Sequence, residues 1–255
     1  MLSTSDYRER DSRAKGTPRA IRRFLGLWLF AKLIAVAVLA GGFALGAEVA
    51  GARQFQVADV IIAGSELVGA EDIAATINVG GSNTFAVRGR RLERILRADP
   101  AIESVSVQAR LPSTVEVFVH ERAPAVVWEA AGRTLLADDT GLALRDGARD
   151  DLPVIHAPDG PAPDPGGRVD VDAVRMARSL VPRLDSEGMA GGQLEYRPSA
   201  GASVILPGSA RVALGTAEDL EDKLAAYRAI RGLLEQKRSR AEFIDVRFLE
   251  RPYFR

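Results

Sequence analysis

Hydrophobic and polar positions follow three regimes along this chain: an uninterrupted apolar run, short helical periods, and period-2 alternation. From Phe24 to Ala47 the only charge is Lys32, and Leu33–Ala47 has none. A helix of that length, at ~1.5 Å per residue, rises roughly 36 Å and so crosses a ~30 Å hydrocarbon layer with some tilt. The run is predicted to be a transmembrane helix, in which Gly26, Gly41, Gly42 and Gly46 are tolerated. Lys32 can carry its ammonium back to the interface on its long stem, and Trp28 is placed for the aromatic belt. A cleaved signal peptide is the competing reading, with Ala50-Gly51-Ala52 resembling a cleavage site. Such peptides normally have an apolar stretch of only ~7–15 residues. A buried core helix is the third reading, but no amphipathic pattern supports it.

Beyond the run, Phe55–Ala63 is rich in β-branched and aromatic residues and stops at Gly64-Ser65, which predicts a strand and a turn. Ile73 and Ile77, four apart, mark a short helix over Gly69–Ile77, broken by Gly80-Gly81. A second helix is expected over Arg88–Ala98, with Leu92, Ile95 and Leu96 inward and arginines outward, ended by Asp99-Pro100. Val105, Val107 and Ala109 then alternate with polar residues, as do Val115, Val117 and Val119 after the link Arg110–Ser113. Both read as half-buried strands of one hairpin. The order strand, helix, helix, strand, strand predicts helices laid on one face of a three-stranded sheet.

The rest of the chain predicts short strands at Val126–Glu129, Thr134–Ala137 and Gly141–Leu144, another at Leu152–Ile155, and an exposed Pro/Gly loop over Pro158–Gly167. A helix follows over Val171–Leu184, which Pro182 is expected to end early. Strands are expected at Leu194–Arg197, Ala202–Leu206 and Ala210–Leu214. The segment Thr216–Asp219 resembles a capping box opening a helix to about Glu235. Leu220, Leu224, Tyr227 and Leu234 form its buried stripe, and a last strand is predicted at Phe243–Phe248.

Charge adds an orientation. Seven Lys/Arg against Asp6, Glu9 and Asp11 give residues 1–23 a local +4, while Arg53 is the only basic residue soon after the run. The positive-inside rule puts the N-terminus in the cytoplasm and residues 53–255 outside. The formal net charge is +0, so the remainder of the chain is acidic, which speaks against nucleic-acid binding. There is no cysteine, which excludes disulfides and thiolate chemistry. His120 and His156 have no partner at ligand spacing, Asp138-Asp139 reads as a turn, and no nucleophile or phosphate-loop signature appears. No enzyme activity, cofactor, metal or small-molecule substrate is expected.

The run Arg110-Leu111-Pro112-Ser113-Thr114-Val115-Glu116-Val117, continuing through His120-Glu121-Arg122-Ala123-Pro124-Ala125 to Trp128, resembles the FtsQ/DivIB cell-division family. The preceding strand–helix–helix order resembles that family's POTRA module. Leu136–Gly141, Leu152-Pro153-Val154-Ile155 and Ile244-Asp245-Val246-Arg247 extend the resemblance over nearly the whole chain. It implies an α+β protein with a cytoplasmic tail at 1–23, a transmembrane helix at 24–47 and a POTRA-like domain at 55–122. A β-rich partner-binding domain with a mainly antiparallel sheet follows at 123–250, and 251–255 is a tail. It also implies a non-enzymatic scaffold of the division septum that regulates septal peptidoglycan synthesis. In such a scaffold the last strand binds membrane coiled-coil partners of the FtsB/FtsL type, and the POTRA-like domain binds other division proteins. By position the partner residues are Phe243, Asp245, Arg247, Phe248, Leu249 and Glu250. Alternation from Phe243 predicts Phe248 packed inward and Arg247 facing outward. Two other readings stay open: another POTRA-type envelope assembly or transport protein, and a membrane-tethered envelope hydrolase.

Overall fold

The first described element is a long helix, α1, over Pro18–Gly51, in a computed structural model that describes residues 18–255. Most of the expected cytoplasmic tail thus lies outside the described residues. The chain divides into two units, the first ending at Phe55 and the second running over Gln56–Arg255. Within the first, Phe30–Glu48 is long and apolar enough to cross a membrane, and its large side chains are exposed, Phe43 by 80% and Leu39 by 73%. A helix that is apolar and exposed over this stretch among the described residues suits a lipid environment.

The second unit opens with β1 (Asp59–Ala63), α2 (Ala70–Ile77), α3 (Gly89–Leu96), β2 (Ile102–Arg110) and β3 (Thr114–Glu121). The sheet order is β1-β3-β2, with β1 parallel and β2 antiparallel to β3. Val115, Val117 and Val119 are buried on one face, as their alternation requires, together with Val105, Val107, Ile73, Leu92 and Leu96. Three details differ from expectation, the first being that Ala109, at the end of β2, is exposed rather than buried with Val105 and Val107. The first strand starts at Asp59 because Val57 turns aside to bond Ser82 and Gly81. Ile95 is 40% exposed, since Leu92 and Leu96, one turn apart, already fill the inward face of a two-turn helix. Gly64 makes the turn after β1 at φ +83°, and a Cβ there would lie 2.1 Å from the Val119 carbonyl oxygen.

The following strands are β4 (Val126–Ala130), β5 (Arg133–Ala137), β6 (Ala143–Asp146) and β7 (Val154–His156). Then come α4 (Val171–Leu180), β8 (Gln193–Arg197), β9 (Gly201–Ile205), β10 (Arg211–Gly215), α5 (Leu220–Gln236), β11 (Phe243–Asp245) and β12 (Tyr253–Phe254). They build a nine-stranded sheet in the order β12-β11-β10-β9-β8-β7-β4-β5-β6. It is mainly antiparallel, with parallel pairs at β10–β11, β7–β8 and β4–β7. Helices α4 and α5 cover one face through Val174, Met176, Leu180, Leu224, Tyr227 and Leu234, packed on Val126, Trp128, Leu194, Val204 and Val212. As expected, α4 stops before Pro182, where a short 3-10 turn takes over.

Period-2 alternation at the start of this sheet serves two cores. Val126 and Trp128 face the helices, whereas Val127, with Leu136 and Leu144, joins the core of the three-stranded unit. The two sheets therefore share apolar contacts across the stretch linking β3 to β4. The strap Glu66–Val68 adds a polar link, since its N–H groups bond Glu121 of β3 while Arg145 of β6 donates to the Leu67 carbonyl.

The Pro/Gly loop is tied to the sheet. Ala143 bonds Gly166 and Gly167 at 2.8 and 2.9 Å, and Arg133 pairs with Asp164 at 3.1 Å, so this loop is fastened to the start of β6. The capping box is also absent. Asp219, in the left-handed region at φ 52°, precedes α5, and it is Asp172 of α4 that accepts the Ala217 N–H, at 2.8 Å.

Candidate partner-binding edge

The Pro/Gly loop is fastened to the start of β6 at one end of the large sheet, and the other end is β12. The expected last strand is shorter than its sequence pattern, because β11 ends at Asp245 and the chain bends at Arg247–Arg251. It then returns as Tyr253-Phe254, pairing Phe254 with Ile244 and Tyr253 with Asp245. Residues 251–255, expected as a tail, thus carry the edge strand. Phe243 and Arg255 exchange backbone hydrogen bonds at 3.0 and 3.2 Å. In an antiparallel pair the neighbour of such a residue points its backbone outward. Phe254 therefore presents its N–H and C=O on the open side.

The six residues expected to meet a partner split into two groups. Phe243 is half-buried between the Tyr253 ring, 5.9 Å away, and the Arg255 guanidinium, 5.4 Å above it. Asp245 is 2% exposed and takes Arg247 Nε at 3.0 Å and Nη2 at 2.6 Å, as well as the Arg247 N–H at 3.0 Å. Burial pushes this carboxyl up, but the Arg247 hydrogen bonds outweigh it and hold it below the usual carboxylate range. Arg247 is raised in turn, first by its hydrogen bonds to Asp245. Phe248, Leu249 and Glu250 lie outside the sheet on the bend, Phe248 67% exposed and 5.6 Å from the Arg247 guanidinium.

Two expectations are corrected here. Phe248 does not pack inward, and Arg247 is not an independent surface residue. Alternation fails because the strand ends at Asp245 and the bend rotates the following side chains. Tyr253, 50% exposed, and Phe254, 40% exposed, belong to the edge although sequence reasoning passed over them. An aromatic pair just after Pro252 was the available signal.

Beside Arg247 and Phe248 opens a cleft of about 520 Å³ that reaches Tyr196 and Lys223. Gly215 gives Arg247 its place on the cleft wall, since a Cβ at Gly215 would come 3.2 Å from Arg247 Cγ. Deeper in, Tyr196 donates to Asp170 at 2.7 Å and Lys223 to the Thr216 carbonyl at 2.9 Å. Burial, then the Asp170 hydrogen bond, raises the Tyr196 hydroxyl, and burial lowers the Lys223 ammonium. These hydrogen bonds fix the cleft shape. His120 pairs with Glu103 at 3.3 Å and His156 with Glu129 at 2.8 Å. Among the described residues no group of His, Asp and Glu could hold a metal.

Residues 55–122 match the family model described as POTRA domain, FtsQ-type. The Cell division protein FtsQ of Chloroflexus aurantiacus is 27% identical over 176 residues, covering 67% of this chain and 64% of that protein. The chain thus carries a POTRA domain of the FtsQ type and is similar to Cell division protein FtsQ from several bacteria. The Cell division protein FtsQ of Rickettsia felis is 32% identical over 88 residues, 34% of this chain and 33% of that protein. That of Neisseria gonorrhoeae is 27% identical over 155 residues, 60% and 59% of the two chains. The matches thus span less than two thirds of each relative's own length. The residues that resemble the family text take structural roles. Leu111-Pro112 turns the β2–β3 hairpin, Glu121 binds the strap at Glu66–Val68, and Asp138 accepts the N–H groups of Thr140 and Leu142, both at 2.9 Å.

Proposed function

We propose that this chain is a non-enzymatic scaffold of bacterial cell division. In this reading α1 crosses the cytoplasmic membrane once, with its N-terminus inside and residues 53–255 outside, and the chain gathers at the division septum. Its open β12 edge receives a strand from a membrane coiled-coil partner of the FtsB/FtsL type, while the POTRA module meets other division proteins. Holding these proteins together links septum assembly to septal peptidoglycan synthesis.

The observation that carries the reading is the β12 edge itself. Outward backbone groups at Phe254 follow exposed Tyr253, and the bend before them exposes Leu249 and Phe248, the latter lining the cleft at Arg247. Strand addition takes affinity from main-chain hydrogen bonds and selectivity from neighbouring side chains, and an unprotected edge is a template for such pairing. The relatives' printed name, Cell division protein FtsQ, supports the cellular setting.

The test is Phe254→Pro in the full chain. It removes the outward N–H, and Pro is accepted on edge strands. Co-purification with the coiled-coil partner should be lost while the melting temperature stays near that of Phe254→Ala. Undiminished co-purification would remove strand addition at β12 from the proposal. A fluorescent fusion that failed to gather at the septum would remove the division role.

A further inference from the structure

The outer face of α3 is basic, and the proposed partner edge makes no use of it. Residues 88–97 hold Arg88, Arg90, Arg91, Arg94 and Arg97 against the single carboxylate Glu93. Glu93 turns inward and accepts the Val107 N–H at 3.1 Å, so it does not offset the charge outside. Arg97 is partly tied to the Val105 carbonyl. Arg88, Arg90, Arg91 and Arg94 are exposed, and among the described residues none of them joins an ion pair. The acids of the neighbouring helix, Glu71 and Asp72, lie in the first turn of α2, at the far end from Ile77.

Arg88, Arg91 and Arg94 recur at a spacing of three and so share one side of α3. That side borders a shallow groove of about 480 Å³, with Ile77, Val79, Leu92 and Ile95 on its floor and Arg88 and Arg91 at its rim. A cationic rim over an apolar floor matches a molecule with an anionic head and a hydrocarbon body. Phe85, 57% exposed, precedes the same face.

Connectivity tethers this face to α1. Gln56 and Val57, the first residues of the second unit, bond directly to the segment that leads into α3. Gln56 bridges Asn83, Val57 donates to Ser82 at 2.8 Å, and Gly81 donates to Val57 at 3.0 Å. The seven residues Val49–Phe55 separate that anchor point from the apolar span. Fully extended they reach at most about 25 Å. A face tethered so closely to a bilayer meets lipid headgroups at high effective concentration.

We propose that the α3 face, made by Arg88, Arg91, Arg94 and the Ile77–Ile95 groove, docks on anionic phospholipid headgroups of the membrane that holds α1. The arginines take the phosphates as paired donors, while Phe85 and Ile95 enter the boundary between headgroups and chains. Docking would hold the POTRA module against the bilayer and leave the β12 edge to its partner. The inference rests on α1 being a membrane anchor.

The chain has no cysteine, so one introduced thiol gives a clean probe. Ala86→Cys, on the groove wall, carries an environment-sensitive fluorophore; Ser199→Cys, on the exposed β8–β9 turn, is the control. The full chain is placed in nanodiscs of phosphatidylcholine alone or with phosphatidylglycerol, and its retention in the discs checks the anchor separately. The label at residue 86 should shift to the blue and lose quenching by acrylamide only in the anionic discs. The control should not change. Roughly 0.5 M salt, which cuts the screening length to about 4 Å, should reverse the shift, as should the triple change of Arg88, Arg91 and Arg94 to Gln. Equal emission in both discs, or a shift that survives the triple change, overturns the proposal. So does a triple variant that keeps the lipid signal but loses capture of another division protein, because the face would then be a protein-docking site.

Discussion

Glu121 accepts the Val68 N–H at 2.8 Å through one carboxylate oxygen, while the other takes the N–H groups of Leu67 and Glu66 at 2.7 and 3.0 Å. One side chain at the end of β3 thereby orders the strap before α2. Glutamine cannot replace it, because its amide nitrogen would face one of these donors. Glu121→Gln and Glu121→Ala should each cost about 1–3 kcal/mol, the range for losing charge-assisted bonds to part-buried donors. Urea unfolding of the full chain in detergent checks this; an unchanged midpoint for both variants would leave the strap ordered by other contacts.

Val117 is fully buried between Ile62 on β1 and Val107 on β2. Val117→Asp puts an unpartnered carboxylate there, at a cost of several kcal/mol, comparable with the whole stability of a small domain. Limited proteolysis should cut the variant rapidly within residues 56–122. Because Val127, Leu136 and Leu144 share this core, β4–β6 should lose protection in hydrogen exchange as well.

The Asp245–Arg247 pair makes Arg247→Glu a stability variant. Two carboxylates would then meet at a position 2% exposed, and breaking such a pair costs about 3–5 kcal/mol. The melting temperature should fall clearly, and any loss of partner binding would follow from that fall. Phe248→Ala is the better probe of the edge. An exposed side chain on a bend should change stability by less than ~0.5 kcal/mol, so reduced co-purification with unaltered melting would implicate Phe248 directly.

Acid should act through the same pair. Asp245 is held below its ordinary value in the folded chain, so its contribution is fully present above the unfolded value of about 3.9. That contribution is lost as pH falls further through the folded value. In Arg247→Met the carboxyl loses the guanidinium bonds but keeps the N–H of residue 247, so it is held down less and the loss of stability on acidification should be smaller. Thermal melts of both proteins between roughly pH 3 and 7 check the sign; parallel curves would mean the ion pair is not coupled to folding.

The local elements were legible because each writes its solvent exposure into the sequence. Val115, Val117 and Val119 declare a half-buried strand, Ile73 and Ile77 a helix face, and Phe24–Ala47 a segment with no aqueous side. The family text at Arg110–Trp128 likewise marks the module that the comparison finds at residues 55–122. Pairing between distant segments leaves no such record. A two-residue strand such as Tyr253-Phe254 has no period, and its place against Ile244 depends on a bend at residues 247–251 that brings the chain back. The same bend ended the alternation that would have sent Phe248 inward, and it set Arg247 against Asp245. Tertiary structure alone placed the two ends of the sheet, since the 158–167 loop had to find Ala143 and Arg133 across the fold. Periodicity reports how one element meets solvent, whereas an edge exists only once all the other strands have found their partners.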